Sequence, residues 1–96
     1  MRVEKNLGEY TVVYYREEFN PITTDRPRVM LINHFSCNRH EERFVFDFQN
    51  LNEYQNFLNI LEGDEIHYNV QIGRYGTSYN CTITINNRTY ESYNHI

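Results

Sequence analysis

The sequence contains no alanine and no tryptophan, one lysine, two cysteines, two prolines and four glycines. Alanine is the strongest intrinsic helix former, so a chain without it is a poor candidate for a helical bundle. Tyr, Phe, Thr and Ile favour strands, and sheet is the expected main element. Two cysteines cannot define a disulfide framework, and Cys37 and Cys81 are expected to stay thiols in a reducing cytosol. The glycines, Gly8, Gly63, Gly73 and Gly76, do not form a phosphate-cradling loop. No stretch reaches the ~18 consecutive apolar residues of a membrane span, and the opening MRVEKNLGEY lacks the apolar run of a signal peptide. A cytoplasmic protein without membrane contact is the expectation.

The chain has 96 residues, which leaves room for one core, so residues 1–96 are read as a single domain. A chain of this size hides only about 60 to 70% of the surface it exposes when unfolded, and large aromatic residues fill a small interior efficiently. Nine tyrosines and six phenylalanines meet that need. Thirteen acidic residues against nine basic give a net charge of −4, which argues against direct nucleic-acid binding. Lys5 is the lone lysine, so the remaining basic residues are arginines, suited to bidentate contacts but most simply scattered over the surface. The glycosylation-type triplets at Asn80 and Asn87 are read as chance in an Asn-rich chain.

Along the chain, Glu9 to Glu17 (EYTVVYYRE) reads as a strand, and the Pro21- and Pro27-containing segment after it as a loop. Arg28 to Ser36 reads as a central strand covered on both faces. Residues 37 to 42 form a turn, and Arg43 to Phe48 alternates, with Phe44, Phe46 and Phe48 on one side. Asn50 and Glu53 have capping-box spacing, and Leu51, Tyr54, Phe57, Leu58 and Leu61 form one helical stripe. Gly63 is placed as a left-handed helix cap. A helix of about three turns is not stable alone and must lie on the sheet. Glu65 to Ile72 alternates with Ile66, Tyr68, Val70 and Ile72 inward, Gly73 to Gly76 is a turn, and Tyr79 to Ile85 continues the pattern. Asn86-Asn87 suits a two-residue hairpin turn that sets Ile83 opposite Tyr90 and Cys81 opposite Ser92, with a last strand from Arg88 to Tyr93. The expected fold is therefore α+β: an antiparallel sheet of five or six strands with one helix packed on one face.

The only cluster with ligand-like spacing is His34, Cys37 and His40, half of the four-ligand set that zinc takes, with His67, Cys81 and His95 as remote candidates. Catalysis by Cys37 with His34 or His40 and Glu41 or Glu42 needs a lowered thiol pKa, whereas acidic neighbours raise it. No catalytic residues, cofactor or metal are expected. Two features point to recognition instead. Tyrosine, enriched at interfaces, flanks the Gly73 to Gly76 turn as Tyr75 and Tyr79 and recurs at Tyr90 and Tyr93. Acid gathers at Asp47, Glu53, Glu62, Asp64 and Glu65, in a region without Lys or Arg between Phe44 and Gly73. A surface of one sign can dock on a basic groove and compete with nucleic acid for it.

Short, acidic, rich in Asn and Tyr, and carrying strand-to-helix units such as FVFDFQNLNEYQNFLNIL, the chain resembles the small inhibitor proteins of phages and other mobile elements, anti-CRISPR proteins among them. That resemblance implies a non-catalytic protein-binding module, an inhibitor docking on a nucleic-acid-handling enzyme, and assigns no residue. A protein partner would meet Asp47, Glu53, Glu62, Asp64, Glu65, Tyr75 and Tyr79. A small metal-binding protein using His34, Cys37 and His40 is one alternative, and a homo-oligomer pairing an exposed final strand is another.

Overall fold

A computed structural model describes residues 2–15, 27–34, 41–76 and 78–92. The described elements are β1 (Arg2–Leu7), β2 (Tyr10–Tyr15), β3 (Arg28–Asn33), β4 (Glu42–Asp47), α1 (Leu51–Leu61), β5 (Tyr68–Tyr75), β6 (Ser78–Ile85) and β7 (Arg88–Glu91). The fold is α+β and antiparallel throughout, as expected, but its strands form two sheets rather than one of five or six. The first is a four-stranded meander in the order β1-β2-β3-β4, the second a three-stranded meander β5-β6-β7. Hydrophobic alternation reveals which side of a strand is buried, not which strand lies beside it, so β5 reads equally well as a neighbour of β4 or of another layer.

β1 was not expected. RVEKNL places only Val3 and Leu7 among charged and polar residues, a weak apolar pattern. Its six residues pair with β2 through a two-residue turn in which Gly8 takes φ +61, a left-handed conformation that glycine adopts at little cost. The other boundaries shift by a few residues. β2 covers the centre of the expected Glu9–Glu17 strand, and most of the loop after it lies outside the described residues, as does most of the 37–42 turn. β5 runs through Gly73 to Tyr75, so the expected turn at Gly73 to Gly76 begins only at Gly76, where φ is +62. Gly73 serves close approach instead: a Cβ there would stand 2.8 Å from Asn80 Oδ1 on the paired strand.

Asn50 caps α1, its Oδ1 accepting the Glu53 N–H at 2.9 Å. Gly63 is not the left-handed cap expected. The helix ends in a tightened turn at Glu62 (φ −89), with the Gly63 N–H donating to the Ile60 carbonyl at 3.2 Å. The buried stripe is Tyr54, Phe57, Leu58 and Leu61, four of the five residues expected, with Leu51 half-buried.

One core cluster receives residues from both sheets and the helix: Val12, Tyr14, Val29, Leu31, Phe44 and Phe46 from the first sheet, and Cys81, Ile83 and Ile85 from β6. At its centre Phe48 meets Tyr54 and Phe57 of α1 and Tyr90 of β7, with ring centroids 5.7, 5.2 and 5.8 Å away. Phe57 and Tyr90 pack edge to face at 4.8 Å. The expected inward set of β5 is only partly realised. Ile66, Val70 and Ile72 are half-buried, and Tyr68 is 40% exposed. β5 is an edge strand, so the central β6 supplies the fully buried residues of that sheet.

Polar bonds tie the layers. The Tyr54 hydroxyl donates to the Tyr15 carbonyl at 2.6 Å and accepts the Tyr15 N–H at 3.2 Å. The Tyr14 hydroxyl donates to Glu62 at 2.8 Å. The β6–β7 turn holds Asn86 and Asn87 at φ 48 and 70. Ile83 faces Tyr90, and the Ser92 N–H reaches the Cys81 carbonyl at 2.9 Å, both as the turn predicts. Asn86 also clasps the segment entering β5. Its N–H donates to the His67 carbonyl and its Oδ1 accepts the His67 N–H, both at 2.9 Å, while its Nδ2 donates to the Glu65 carbonyl at 3.3 Å.

Two stability outcomes follow. Phe48→Ala is expected to cost about 3–5 kcal/mol in chemical denaturation, because it opens a cavity where three elements meet. Asn86→Gly keeps the left-handed turn and loses only the side-chain clasp, about 1–2 kcal/mol, whereas Asn86→Ala loses the clasp and also strains the backbone, so urea midpoints should fall in the order wild type, Gly, Ala.

Candidate functional site

The seven residues expected to meet a partner do not share one surface. Asp47 pairs in register with Arg28 on the face of the first sheet opposite Phe46, and Arg28 Nε donates to its carboxylate at 3.0 Å. Its side chain is 13% exposed, so this acid is committed to the sheet. Glu62 accepts from Tyr14, and it is exposed like Glu53, Asp64 and Glu65. Tyr75 pairs with Ser78 and Tyr79 with Arg74, and this register sends the two tyrosines to opposite faces of the second sheet. Tyr75 is 74% exposed, while Tyr79 is half-buried with its ring edge to face with Phe44 at 5.5 Å.

Most described arginines are paired, while several described carboxylates are not. Arg2 pairs with Glu4 at 3.2 Å, Arg28 with Asp47 at 3.0 Å, Arg43 with Glu41 at 2.8 Å and Arg74 with Glu42 at 2.5 Å. Four of the five described arginines are thus matched to carboxylates of β1, β4 or the residue just before β4. The exposed side of α1 presents Asn52, Glu53, Gln55, Asn56 and Asn59, with Asp64 and Glu65 following it and Glu91 on β7. Glu9, Glu53, Asp64, Glu65 and Glu91 have no ion pair among the described residues, and neither do Lys5 and Arg88. Between α1 and β7 runs an open groove of about 460 Å³ lined by Glu53, Asn56, Arg88, Thr89 and Tyr90. Sequence reading named Glu53 but missed this groove, because no local pattern shows that β7 lies beside the helix.

The residues with catalytic or ligand chemistry are placed as follows. Cys37, His40 and His95 lie outside the described residues. His34 has Nε2 2.7 Å from the Thr11 hydroxyl and Nδ1 3.2 Å from Glu41, one of the acids considered beside it. Thr11 is buried and also donates to Asn6 at 3.2 Å, so this row of side chains links β1, β2, β3 and the start of β4. Among the described residues no three His, Cys, Asp or Glu side chains group as a metal site. Asn33 Nδ2 donates to Glu42 at 3.1 Å, which with Arg74 makes a polar bridge between the two sheets.

Cys81 is fully buried beneath that bridge. Burial, reinforced by the Glu42 charge, pushes its thiol up to about 12, the opposite of what a nucleophile or metal ligand needs. Burial likewise raises Tyr10, with Glu9 adding to the effect. The folded thiol therefore stays protonated over a range where the unfolded one ionises. Its contribution to stability is full below the ordinary thiol pKa and is lost as pH rises from about 9 towards 12. The stability advantage of wild type over Cys81→Ala is expected to shrink across that range, by at most about 1.4 kcal/mol per pH unit, in denaturant titrations from pH 7 upward. No family model matches this chain, and neither a curated protein nor a solved structure does.

Proposed function

We propose that this protein is a non-catalytic binding module whose helix side docks on a basic surface of a protein partner, most concretely as an inhibitor of a nucleic-acid-handling enzyme. The observation that supports this reading is the unmatched acid on and just after α1. Arginines of the first sheet and of β5 are neutralised by neighbouring carboxylates, whereas Glu53, Asp64 and Glu65 are left unmatched among the described residues. Unmatched surface carboxylates among amides raise the rate of encounter with a cationic partner and hold it without a large desolvation cost. Among the described residues, Cys81 is held protonated and the Thr11 hydroxyl is buried between Asn6 and His34, so neither is poised as a nucleophile. Tyr75, exposed at the tip of the β5–β6 hairpin, is available as an aromatic anchor.

The test compares wild type with the double reversal Asp64→Lys/Glu65→Lys. Both side chains are exposed, so the variant should fold with an unchanged thermal midpoint. In nuclease-treated lysate of the native host, a nucleic-acid-handling protein retained by wild type should be lost from the variant. Its affinity should fall at least roughly tenfold and should weaken with added salt. An unchanged affinity would remove the electrostatic docking reading.

A further inference from the structure

The ladder of the second sheet determines which backbone groups of β7 are free. A two-residue turn makes Ile85 and Arg88 a hydrogen-bonded pair, so Tyr90 and Ser92 also direct their backbone groups at β6. The Ser92 N–H to Cys81 carbonyl bond at 2.9 Å confirms that phase. Thr89 and Glu91 consequently point their N–H and C=O groups away from β6, along the sheet edge, and both residues are exposed. The groove beside α1 opens along this strand, with Glu53 and Asn56 contributed by the helix. An edge whose donors and acceptors have no partner among the described residues, next to a lined groove, is the arrangement that accepts an added strand.

We infer that the outward edge of β7 receives an extended segment of a partner protein carrying a Lys or Arg on each of its two faces, which joins the three-stranded sheet as its fourth strand. Side chains of an added strand alternate between the sheet faces. One set faces α1, Glu53 and Asn56; the other lies beside Thr89 and Glu91. Both faces therefore offer an unmatched carboxylate to a basic side chain. Arg88, at the turn end of β7, favours an acidic or polar residue at the corresponding end of the segment.

A second copy of the chain fits this edge poorly. Pairing across a two-fold axis must oppose outward residues with outward residues. The available registers set Thr89 against Glu91, Thr89 against itself, or Glu91 against Glu91, and none brings Arg88 opposite Glu91. Among β7 residues, self-association therefore gains no charge match and in one register apposes two carboxylates.

This inference rests on the helix side being the docking face, and its test separates the two. A library of random octapeptides displayed on phage is selected against the full chain, then against Glu53→Lys and Thr89→Pro. The Thr89 N–H faces outward, so proline there removes a donor from the edge without breaking the β6–β7 ladder. The expected result is enrichment of peptides with Lys or Arg on both faces of the strand and no proline, which bind either variant at least roughly tenfold more weakly. Binding should also slow exchange of the Thr89 and Glu91 amides in hydrogen-exchange NMR, a readout independent of whether the proline variant folds. Enriched peptides that leave those amides unprotected, or no enrichment on folded protein, would overturn the added strand. If partner binding still depends on Asp64 and Glu65 in that case, the docking face stands without it. A dimer with those amides already protected would assign the edge to a second copy and end the inference.

Discussion

Much of the architecture depends on where the Phe48 ring sits. It follows β4 directly, and its backbone N–H is held by the Pro27 carbonyl at 3.0 Å, so the ring is fixed at the rim of the first sheet. There it touches α1 through Tyr54 and Phe57 and the second sheet through Tyr90. A chain of this length has too little interior for two cores, and a ring shared by three elements lets both sheets bury their apolar faces in a single cluster. The helix, only 11 residues long, is held there by that packing and by the Tyr14 and Tyr54 hydroxyls.

The polar groups follow the same division. Arginines on the first sheet find carboxylates on the adjacent strand or a few residues away, and Arg74 crosses between sheets to Glu42. Such pairs add little stability where exposed, but they cancel charge locally. The helix and the segment following it, residues 51–66, have no Lys or Arg to do the same, so Glu53, Asp64 and Glu65 stay without an ion pair among the described residues. The outward edge of β7, unpaired among the described residues, lies beside the groove that Glu53 and Asn56 of the helix line.

Much of the element order was legible in the residues. The Phe44, Phe46, Phe48 alternation, the Asn50 cap, the Tyr54-Phe57-Leu58-Leu61 stripe and the Asn86-Asn87 turn all appear where the pattern places them. β1 escaped because an edge strand with one covered face needs few apolar residues, and Gly73 misled because glycine serves close packing as readily as turning. Of the candidate site, Glu53, Asp64 and Glu65 kept the exposure the sequence implied. Asp47 did not, since its partner Arg28 is 19 residues distant.

The residues alone determined the elements whose signals are local: alternation at period two, a helical stripe at three and four, a cap and a hairpin turn, all set by contacts between near neighbours in the chain. Tertiary structure alone decided the split into two sheets, the opposite facings of Tyr75 and Tyr79, the Arg28–Asp47 and Arg74–Glu42 pairs, and the groove between α1 and β7. Those depend on which surfaces meet through space, and an apolar face is equally satisfied by any partner of the right shape until the whole chain has packed.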